Sequence, residues 1–380
     1  MTDTFPSDSV GLVTPQVAHF DDPFTFVNGA VLQSHQLVYE TYGELNRAGD
    51  NAVLICHALS GSHHAAGFHS ADERRPGWWD LAIGPGKPID TARLFVVCSN
   101  NLGCCDGSSG PNTTNPSTGE AWGGQFPQPQ VQDWVRSQKR LAEHLGITKW
   151  AAVIGGSLGG MQALQWTIDF PDWVGHCVAL AAAPGLTAQN IAFNEIARHA
   201  ILSDPDWREG AYLSEGTLPA RGVALARMVG HLTYMSADGM SDRFGRELRE
   251  GGFSPDENAE WVFQVESYLR HQGSRFSTQF DANTYVLMTR ALDLFDLTGS
   301  QGGLAAVLSR VQAEFLVASF SSDWRFPPQR SIEIRDALMA AGKPVTYANI
   351  ETDNGHDGFL LPNPSYEQLL KEWMRRVGPS

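Results

Sequence analysis

The sequence predicts an α/β fold, and three observations support this prediction. Short apolar runs alternate with stretches of helical pattern, one run leads through a glycine-flanked serine into a helix, and a long helical segment separates the later runs. The apolar character of the runs is continuous, which is typical of parallel strands that are buried on both faces. The six runs cover residues 52–56, 94–98, 151–154, 177–182, 315–319 and 345–350.

The remaining segments complete a mostly parallel sheet with helices on both faces. Residues 35–42 alternate partly between apolar and polar side chains, which favours an antiparallel edge strand before the parallel set. Between about residues 185 and 305 the strand pattern is absent, and helical patterns cover 190–202, 222–232 and 283–292. We therefore expect one catalytic domain from residues 1–184 and 306–380, with residues 185–305 inserted as a helical lid over the strand ends. The alternative is that single helices of this segment only thicken the core.

Composition excludes several classes of protein. The chain has 380 residues, of which 42% are hydrophobic and 18% charged, so it is long enough to bury a large core. A formal net charge of −15 argues against nucleic acid or an anionic membrane as partner, because the excess of lysine and arginine that neutralises phosphates is missing. No apolar run has membrane-spanning length and the N-terminal residues show no secretory pattern, so we expect a cytoplasmic protein.

The serine between glycines indicates a catalytic nucleophile. Ser157 lies in a G-x-S-x-G pattern between a strand-like run and a helical pattern, as in a nucleophile elbow. The glycines let strand and helix approach closely, and the sharp turn exposes the hydroxyl. The backbone N–H of Leu158, at the helix N-terminus, is a candidate donor to an oxyanion, and that of Leu59, after the first apolar run, is the expected second donor. The alternative is an ordinary glycine-rich turn.

A serine nucleophile needs a base and an acid that orients the base, and both should follow the serine in this type of sheet. Among the 12 histidines we predict His356 as the base, because it lies in a turn-rich loop directly after the last apolar run. We predict Asp323, in the loop after the preceding run, as the acid. Asp353 and Asp357 are competitors, but both are too close to His356 along the chain to reach its ring easily. A histidine in a polar surface turn is the alternative for His356.

The sequence gives no ligand set for a metal. His57, His63 and His64 cluster after the first apolar run, but no cysteine or carboxylate accompanies them at the spacing of metal ligands. The five cysteines include the adjacent pair Cys104 and Cys105, which lacks C-x-x-C spacing. We therefore expect buried reduced thiols and no metal site.

With these motifs the chain resembles the homoserine O-acyltransferases of the α/β-hydrolase superfamily over nearly its whole length. The resemblance implies an α/β-hydrolase fold and assigns nucleophile, acid and base to Ser157, Asp323 and His356. It also implies that Arg227 and Asp357 bind homoserine, plausible because guanidinium and carboxylate complement its carboxylate and amino groups. The segments that carry it are residues 57–61, 77–80, 83–90, 100–103, 107–111, 155–166, 226–228 and 355–357.

The same resemblance implies the reaction and the partners. The reaction is a ping-pong transfer of an acyl group from acyl-CoA through an acyl-serine to the hydroxyl of L-homoserine, in methionine synthesis. The substrates are small molecules, no cofactor stays bound, and the resemblance suggests a homodimer. A transferase must exclude water, so a narrow tunnel under the lid is expected. The sequence departs from the usual glycine and cysteine pattern at residues 104–106, which puts the shape of that loop in doubt.

The identity of the acyl group is predicted from Arg325, two residues after the predicted acid. A guanidinium there can pair with the terminal carboxylate of succinyl, whereas acetyl offers no such partner. Family members that resemble acetyltransferases tend to carry an apolar residue at this point. We therefore favour succinyl-CoA as donor. The alternatives for the function are acetyl-CoA as donor, L-serine as acceptor, a simple esterase and a non-catalytic binding protein. The alternative for Arg325 is that its side chain faces solvent or a neighbouring carboxylate.

Overall fold

A central sheet of eight strands organises the part of the chain that the computed structural model describes, residues 5–249, 263–299 and 302–378. The strands are β1 (Gln16–Phe20), β2 (Phe24–Thr25), β3 (Val31–Leu32), β4 (His35–Tyr42), β5 (Ala52–Cys56), β6 (Ile83–Gly84), β7 (Ile89–Asp90), β8 (Phe95–Ser99), β9 (Trp150–Gly156), β10 (Val174–Leu180), β11 (Glu314–Phe320) and β12 (Val345–Ile350). The α-helices are α1 (Val131–His144), α2 (Leu158–Asp169), α3 (Ala188–Leu202), α4 (Tyr212–Glu215), α5 (Ala220–Tyr234), α6 (Ala237–Phe244), α7 (Gln264–Ser277), α8 (Ala282–Leu294), α9 (Gly303–Leu308), α10 (Pro328–Ala340) and α11 (Pro364–Met374). Short 3₁₀ helices cover Gly123–Gln125, Pro171–Trp173, Pro205–Gly210 and Gly355–Leu360.

The sheet confirms the predicted α/β class. Its strand order is β1-β4-β8-β5-β9-β10-β11-β12, and every pair from β8 to β12 is parallel. Strand β4 is antiparallel to both of its neighbours, as its alternating pattern predicts. The expectation that it forms the edge is wrong, because β1 pairs along its outer side. Only one side chain of β1 is buried, so this strand has almost no apolar signal.

The continuous apolar runs arise because each parallel strand packs into two cores. In β5, Ala52 and Leu54 face the core that contains α1 and α2, whereas Val53 and Ile55 face the core beneath α11. Successive side chains of a strand point to opposite faces, so both sets must be apolar when helices cover both faces.

Helices replace strands between β10 and β11. The predicted helices of this segment correspond to α3, α5 and α8, and in its described residues the backbone makes only isolated β-bridges. One such bridge joins Gly185 to Asp296, and the Leu297 N–H donates to the Pro184 carbonyl at 2.8 Å. The chain therefore leaves the sheet next to the point where it returns. None of the described helices has the length and apolar character needed to cross a bilayer.

The register of the strands determines where the loops meet. Cys56 at the end of β5 lies opposite Gly155, Gly156 lies opposite Leu180, and Phe320 lies opposite the last residue of β12. The carboxyl ends of these parallel strands therefore lie at one edge of the sheet, where an open α/β sheet forms its ligand crevice.

Candidate active site

Ser157 occupies a strained turn between β9 and α2. Its backbone has φ 56° and ψ −122°, a conformation that costs a non-glycine residue about 1–3 kcal/mol. The turn is held because the Ser157 N–H donates to the Leu180 carbonyl at 2.9 Å and because the glycines permit close packing. A Cβ atom on Gly159 would lie 2.0 Å from the carbonyl oxygen of Cys56, which no side chain allows.

The structure brings the predicted nucleophile, base and acid into one hydrogen-bonded chain. The Ser157 hydroxyl lies 2.8 Å from His356 Nε2, and His356 Nδ1 lies 2.7 Å from Asp323 Oδ2. A carboxylate only accepts, so Nδ1–H donates to Asp323 and Nε2 is left to accept the serine proton. The competing acids do not occupy this position: the Asp353 carbonyl accepts a hydrogen bond from Ser236, and no hydrogen bond joins the Asp357 carboxylate to the ring.

Backbone donors fix the Asp323 carboxylate in the buried interior. Its Oδ1 atom accepts from the backbone N–H groups of Arg325 at 3.0 Å and Phe326 at 2.8 Å, which leaves Oδ2 for the imidazole. The Phe326 ring packs edge-on against His356, with ring centres 4.9 Å apart. These contacts set the orientation of the base before any ligand binds.

The two predicted oxyanion donors follow neighbouring strands of the sheet, Leu59 after β5 and Leu158 after β9. Leu158 is the first residue of α2, and Leu59 is in a turn closed by a hydrogen bond from Gly61 N–H to the Ala58 carbonyl at 3.0 Å. Within the described ranges, neither leucine N–H donates to a protein acceptor. Unpaired N–H groups at a helix N-terminus and a turn are suited to stabilise negative charge on an oxygen.

Sequence reasoning missed the buried polar groups that hold this turn. His57 Nδ1 donates to the Ala58 carbonyl at 2.8 Å and its Nε2 accepts from Asn101 N–H at 3.1 Å. Burial lowers the pKa of His57 to about 4, so the ring is neutral. Gln162 on α2 donates to the His57 carbonyl at 3.2 Å and accepts from Gln138 at 2.7 Å. A glutamine in the otherwise apolar start of α2 was the available signal.

Arg227 and Asp357 both lie close enough to His356 or to each other for their charges to interact. The Arg227 guanidinium lies 4.5 Å from the centre of the Phe276 ring and donates to the Ser60 hydroxyl at 3.4 Å. Burial raises the pKa of the Asp357 carboxyl, although the electrostatic influence of the neighbouring His356 and Arg227 acts in the opposite direction. Tyr234, which the sequence analysis did not select, lies near the base and Arg227: its ring centre is 6.0 Å from the Arg227 guanidinium and 6.0 Å from the His356 ring centre.

Arg325 is buried without a carboxylate partner among the described residues. Its exposed fraction is 7%, its Nη1 donates to Thr233 at 2.8 Å, and its Nη2 donates to Asn194 at 3.2 Å. The guanidinium also lies 5.3 Å from the centre of the Tyr234 ring. Both hydrogen-bond partners are neutral, and the influence of opposite charge is through space, since Arg325 acts to lower the pKa of the Asp357 carboxyl without pairing with it.

The structure adds a carboxylate to the histidines near the Leu59 turn. Glu40 on β4 is fully buried, and its carboxylate lies 3.0 Å from His64 Nδ1 and 2.6 Å from His69 Nε2. Burial alone would raise the pKa of Glu40, but hydrogen bonds from His64, His69 and Tyr42 outweigh it and lower that pKa. The sequence analysis missed this carboxylate because Glu40 lies on β4, outside the segment that contains the histidines. Among the residues that the structure describes, two groups have the donor types for a metal: Glu40 with His64 and His69, and Cys104 with Cys105 and Asp106.

Comparisons with known proteins show similarity over nearly the whole chain. The model of the α/β hydrolase fold family matches residues 51–361. A homoserine O-succinyltransferase of Pseudomonas putida (strain GB-1) is 59% identical over 378 residues, 99% of this chain and 100% of the relative. The crystal structure of a homoserine O-acetyltransferase from Bacillus anthracis superposes with a TM-score of 0.89 at 30% identity, covering 97% and 99% of the two chains. Esterase E22 superposes with a TM-score of 0.87 at 30% identity, covering 96% and 100%.

Proposed function

Because the chain belongs to the α/β-hydrolase fold family and, within it, to the homoserine O-succinyltransferases, we propose that it transfers succinyl from succinyl-CoA to L-homoserine through Ser157. The observation that carries the choice of acyl group is the buried guanidinium of Arg325, whose hydrogen-bond partners among the described residues are neutral. A succinyl carboxylate can form an ion pair with this guanidinium, whereas an acetyl group has no charge to pair with it.

The first half-reaction moves the acyl group to the enzyme. The Ser157 oxygen bonds to the thioester carbonyl carbon while its proton passes to His356 Nε2, 2.8 Å away. The carbonyl oxygen becomes negative and accepts from the N–H groups of Leu59 and Leu158. The carbon–sulfur bond then breaks, His356 returns the proton to the sulfur, and free CoA leaves. Asp323 stabilises the transient imidazolium.

The second half-reaction repeats these steps with a different acceptor. The homoserine hydroxyl bonds to the acyl carbon and gives its proton to His356, and the bond to Ser157 then breaks as the serine regains a proton. Arg227 pairs with the homoserine carboxylate and Asp357 with its ammonium group. These charges favour an amino acid over water at the acyl-serine.

The helices of residues 185–305 serve as the lid of this site. Helix α5 supplies Arg227 and helices α3 and α5 supply the partners of Arg325, so substrate groups contact the inserted segment as well as the sheet. A covered site protects the acyl-serine from hydrolysis. The cytoplasmic location and the homodimer stay predictions, the latter testable by light scattering.

A competition assay tests the reaction. The enzyme is given equal succinyl-CoA and acetyl-CoA together with homoserine and serine, and products are identified by mass spectrometry. O-succinylhomoserine should predominate. Predominant O-acetylhomoserine would refute the choice of acyl group, and O-acylserine the choice of acceptor.

Replacement of the nucleophile tests the covalent route. Incubation with succinyl-CoA alone should add one succinyl group to the protein, detected by intact mass, whereas Ser157→Ala should show no added mass and a rate reduced by at least about 10⁴-fold. Transfer at an unchanged rate in Ser157→Ala would exclude Ser157 as nucleophile.

Ester hydrolysis is the second candidate function, favoured by the similarity to esterase E22. It predicts turnover of simple esters without CoA. If ester turnover persisted while no acyl-CoA acylated Ser157, the hydrolase function would replace the transferase.

A further inference from the structure

A cavity of about 780 Å³ opens beside the proposed oxyanion turn. One wall contains Ser60 and Trp78 from the loops after β5, and helix α7 and the turn after it supply Arg275 and Phe280 opposite. Arg227 lies on the wall where its guanidinium reaches the Ser60 hydroxyl. The cavity therefore adjoins the residues proposed to bind the oxyanion and homoserine.

Positive charge is concentrated on this cavity in an otherwise acidic protein. Arg75, Arg227 and Arg275 line it together with the carboxylates of Glu73 and Asp106, so the arginines are in excess although the whole chain has a formal net charge of −15. In the described ranges, neither Arg75 nor Arg275 forms an ion pair with a carboxylate. Both side chains are exposed and free to meet an anion that enters from solvent.

Aromatic side chains lie between these arginines. Trp78 is half-buried, with its Nε1–H fixed on the Ser62 carbonyl at 2.9 Å and its ring stacked on Trp79 at 5.6 Å. Phe280 lines the same cavity from the lid. Fixed aromatic faces beside arginines are the combination that binds a nucleotide, because the base stacks and the phosphates pair.

We propose that this cavity binds the nucleotide end of acyl-CoA, with its phosphates on Arg75 and Arg275 and its adenine against the aromatic side chains. The pantetheine arm then runs past Ser60 towards Ser157. This proposal rests on the proposed function, since it names where the acyl donor of that reaction is held. Homoserine uses Arg227 only after CoA has left, so the two substrates occupy adjoining space in turn.

Kinetics with two thioesters test the proposal. Arg75→Ala and Arg275→Ala are each assayed with succinyl-CoA and with succinyl-N-acetylcysteamine, which has the same thioester but no nucleotide. Each substitution should raise KM for succinyl-CoA about tenfold and leave kcat within about twofold, while the constants for the short thioester stay unchanged. Added salt should weaken succinyl-CoA binding to the natural enzyme more than to the double variant.

A neighbouring arginine provides the matched control. Arg74 is exposed but does not line the cavity, so Arg74→Ala should leave both thioesters unaffected. Unchanged KM for succinyl-CoA in both cavity variants, or equal losses with both thioesters, would overturn the proposal. If neither thioester acylated the natural enzyme, the proposed function itself would fail. If both thioesters acylated it but the cavity variants behaved like the natural enzyme with each of them, only the nucleotide site would be refuted.

Discussion

Among single side chains, Arg325 has the environment that most clearly requires a ligand. Replacing it with leucine should reduce kcat/KM for succinyl-CoA about 100-fold, because a charge-assisted pair is lost, and should leave acetyl-CoA transfer nearly unchanged. Steady-state kinetics with both donors measure the difference. Thr233 and Asn194 are both neutral, so removal of the guanidinium breaks no ion pair among the described residues.

The Arg325→Lys variant is a control because it keeps the positive charge but lacks the planar guanidinium group. It should lose part of the preference for succinyl, because an ammonium cannot reproduce two fixed N–H bonds. Equal losses for both donors in Arg325→Leu would show that Arg325 supports the loop of Asp323 rather than selecting the acyl group.

The Asp323 carboxylate fixes the tautomer of His356. Asp323→Asn should lower kcat by roughly 10⁴-fold with little change in KM, because an amide can present a donor to Nδ1 and leave Nε2 protonated. Asp353→Asn is the matched control and should retain full activity, since the Asp353 backbone carbonyl is the group that contacts the protein. A small effect of Asp323→Asn on kcat would refute the proposed role of Asp323.

The positions of side chains that directly follow a strand were predictable from the sequence. Contacts between side chains that lie far apart along the chain were not. Ser157, Asp323 and His356 each follow an apolar run, so the chain order alone places them at one edge. Asn194 and Thr233 reach Arg325 from helices 131 and 92 residues away. Contacts of this separation depend on helix packing, which local patterns do not specify.

The close approach of helix α2 to the end of strand β5 depends on the absence of a side chain at Gly159. Gly159→Ala would bring Cβ to 2.0 Å from the Cys56 carbonyl oxygen, so the helix must shift. We expect a loss of stability of about 2 kcal/mol and a large loss of activity, because the hydroxyl of Ser157 moves with the turn. Chemical denaturation and initial rates measure the two effects.

A glycine in the middle of α5 provides the comparison. A Cβ at Gly230 would meet only the Tyr234 side chain, at 3.2 Å, so Gly230→Ala should change stability far less. Equal destabilisation by both substitutions would mean that the elbow packs less tightly than these distances imply.

Secondary structure was predictable where burial makes a strong pattern. Strands β5 and β12 have the predicted bounds, and α3, α5 and α8 begin and end within two residues of the predicted segments. Strand β1 escaped prediction because it is mostly exposed at the sheet edge. Helix α7 escaped because few of its side chains are buried, so its apolar stripe is interrupted by polar residues.

Across the entire chain, buried neutral histidines make stability depend on pH. Burial lowers the pKa of His35, His57, His63 and His231 to about 4. The unfolded chain binds protons on these groups below about pH 6.5, whereas the folded protein does so only near pH 4. Stability should therefore fall as pH decreases from about 6.5 to 4, by up to about 1.4 kcal/mol per pH unit for each histidine.

Urea unfolding at several pH values measures this slope. His35 stacks on Phe20 at 4.8 Å, and neither ring nitrogen has a hydrogen-bond partner among the described residues, so His35→Phe should flatten the slope. His19→Phe, at an exposed position, should not. An unchanged slope in His35→Phe would show that His35 is protonated in the folded protein.

The contact between Pro184 and Leu297 makes the helices between them suitable for exchange with the corresponding segment of another protein. The Leu297 N–H donates to the Pro184 carbonyl at 2.8 Å where the segment leaves and rejoins the sheet, so a graft needs only two adjacent splice points. Ser157, His356 and Asp323 all lie outside the segment between those points. We therefore expect that these helices can be grafted onto a related esterase that keeps its own residues at the positions corresponding to Ser157, His356 and Asp323.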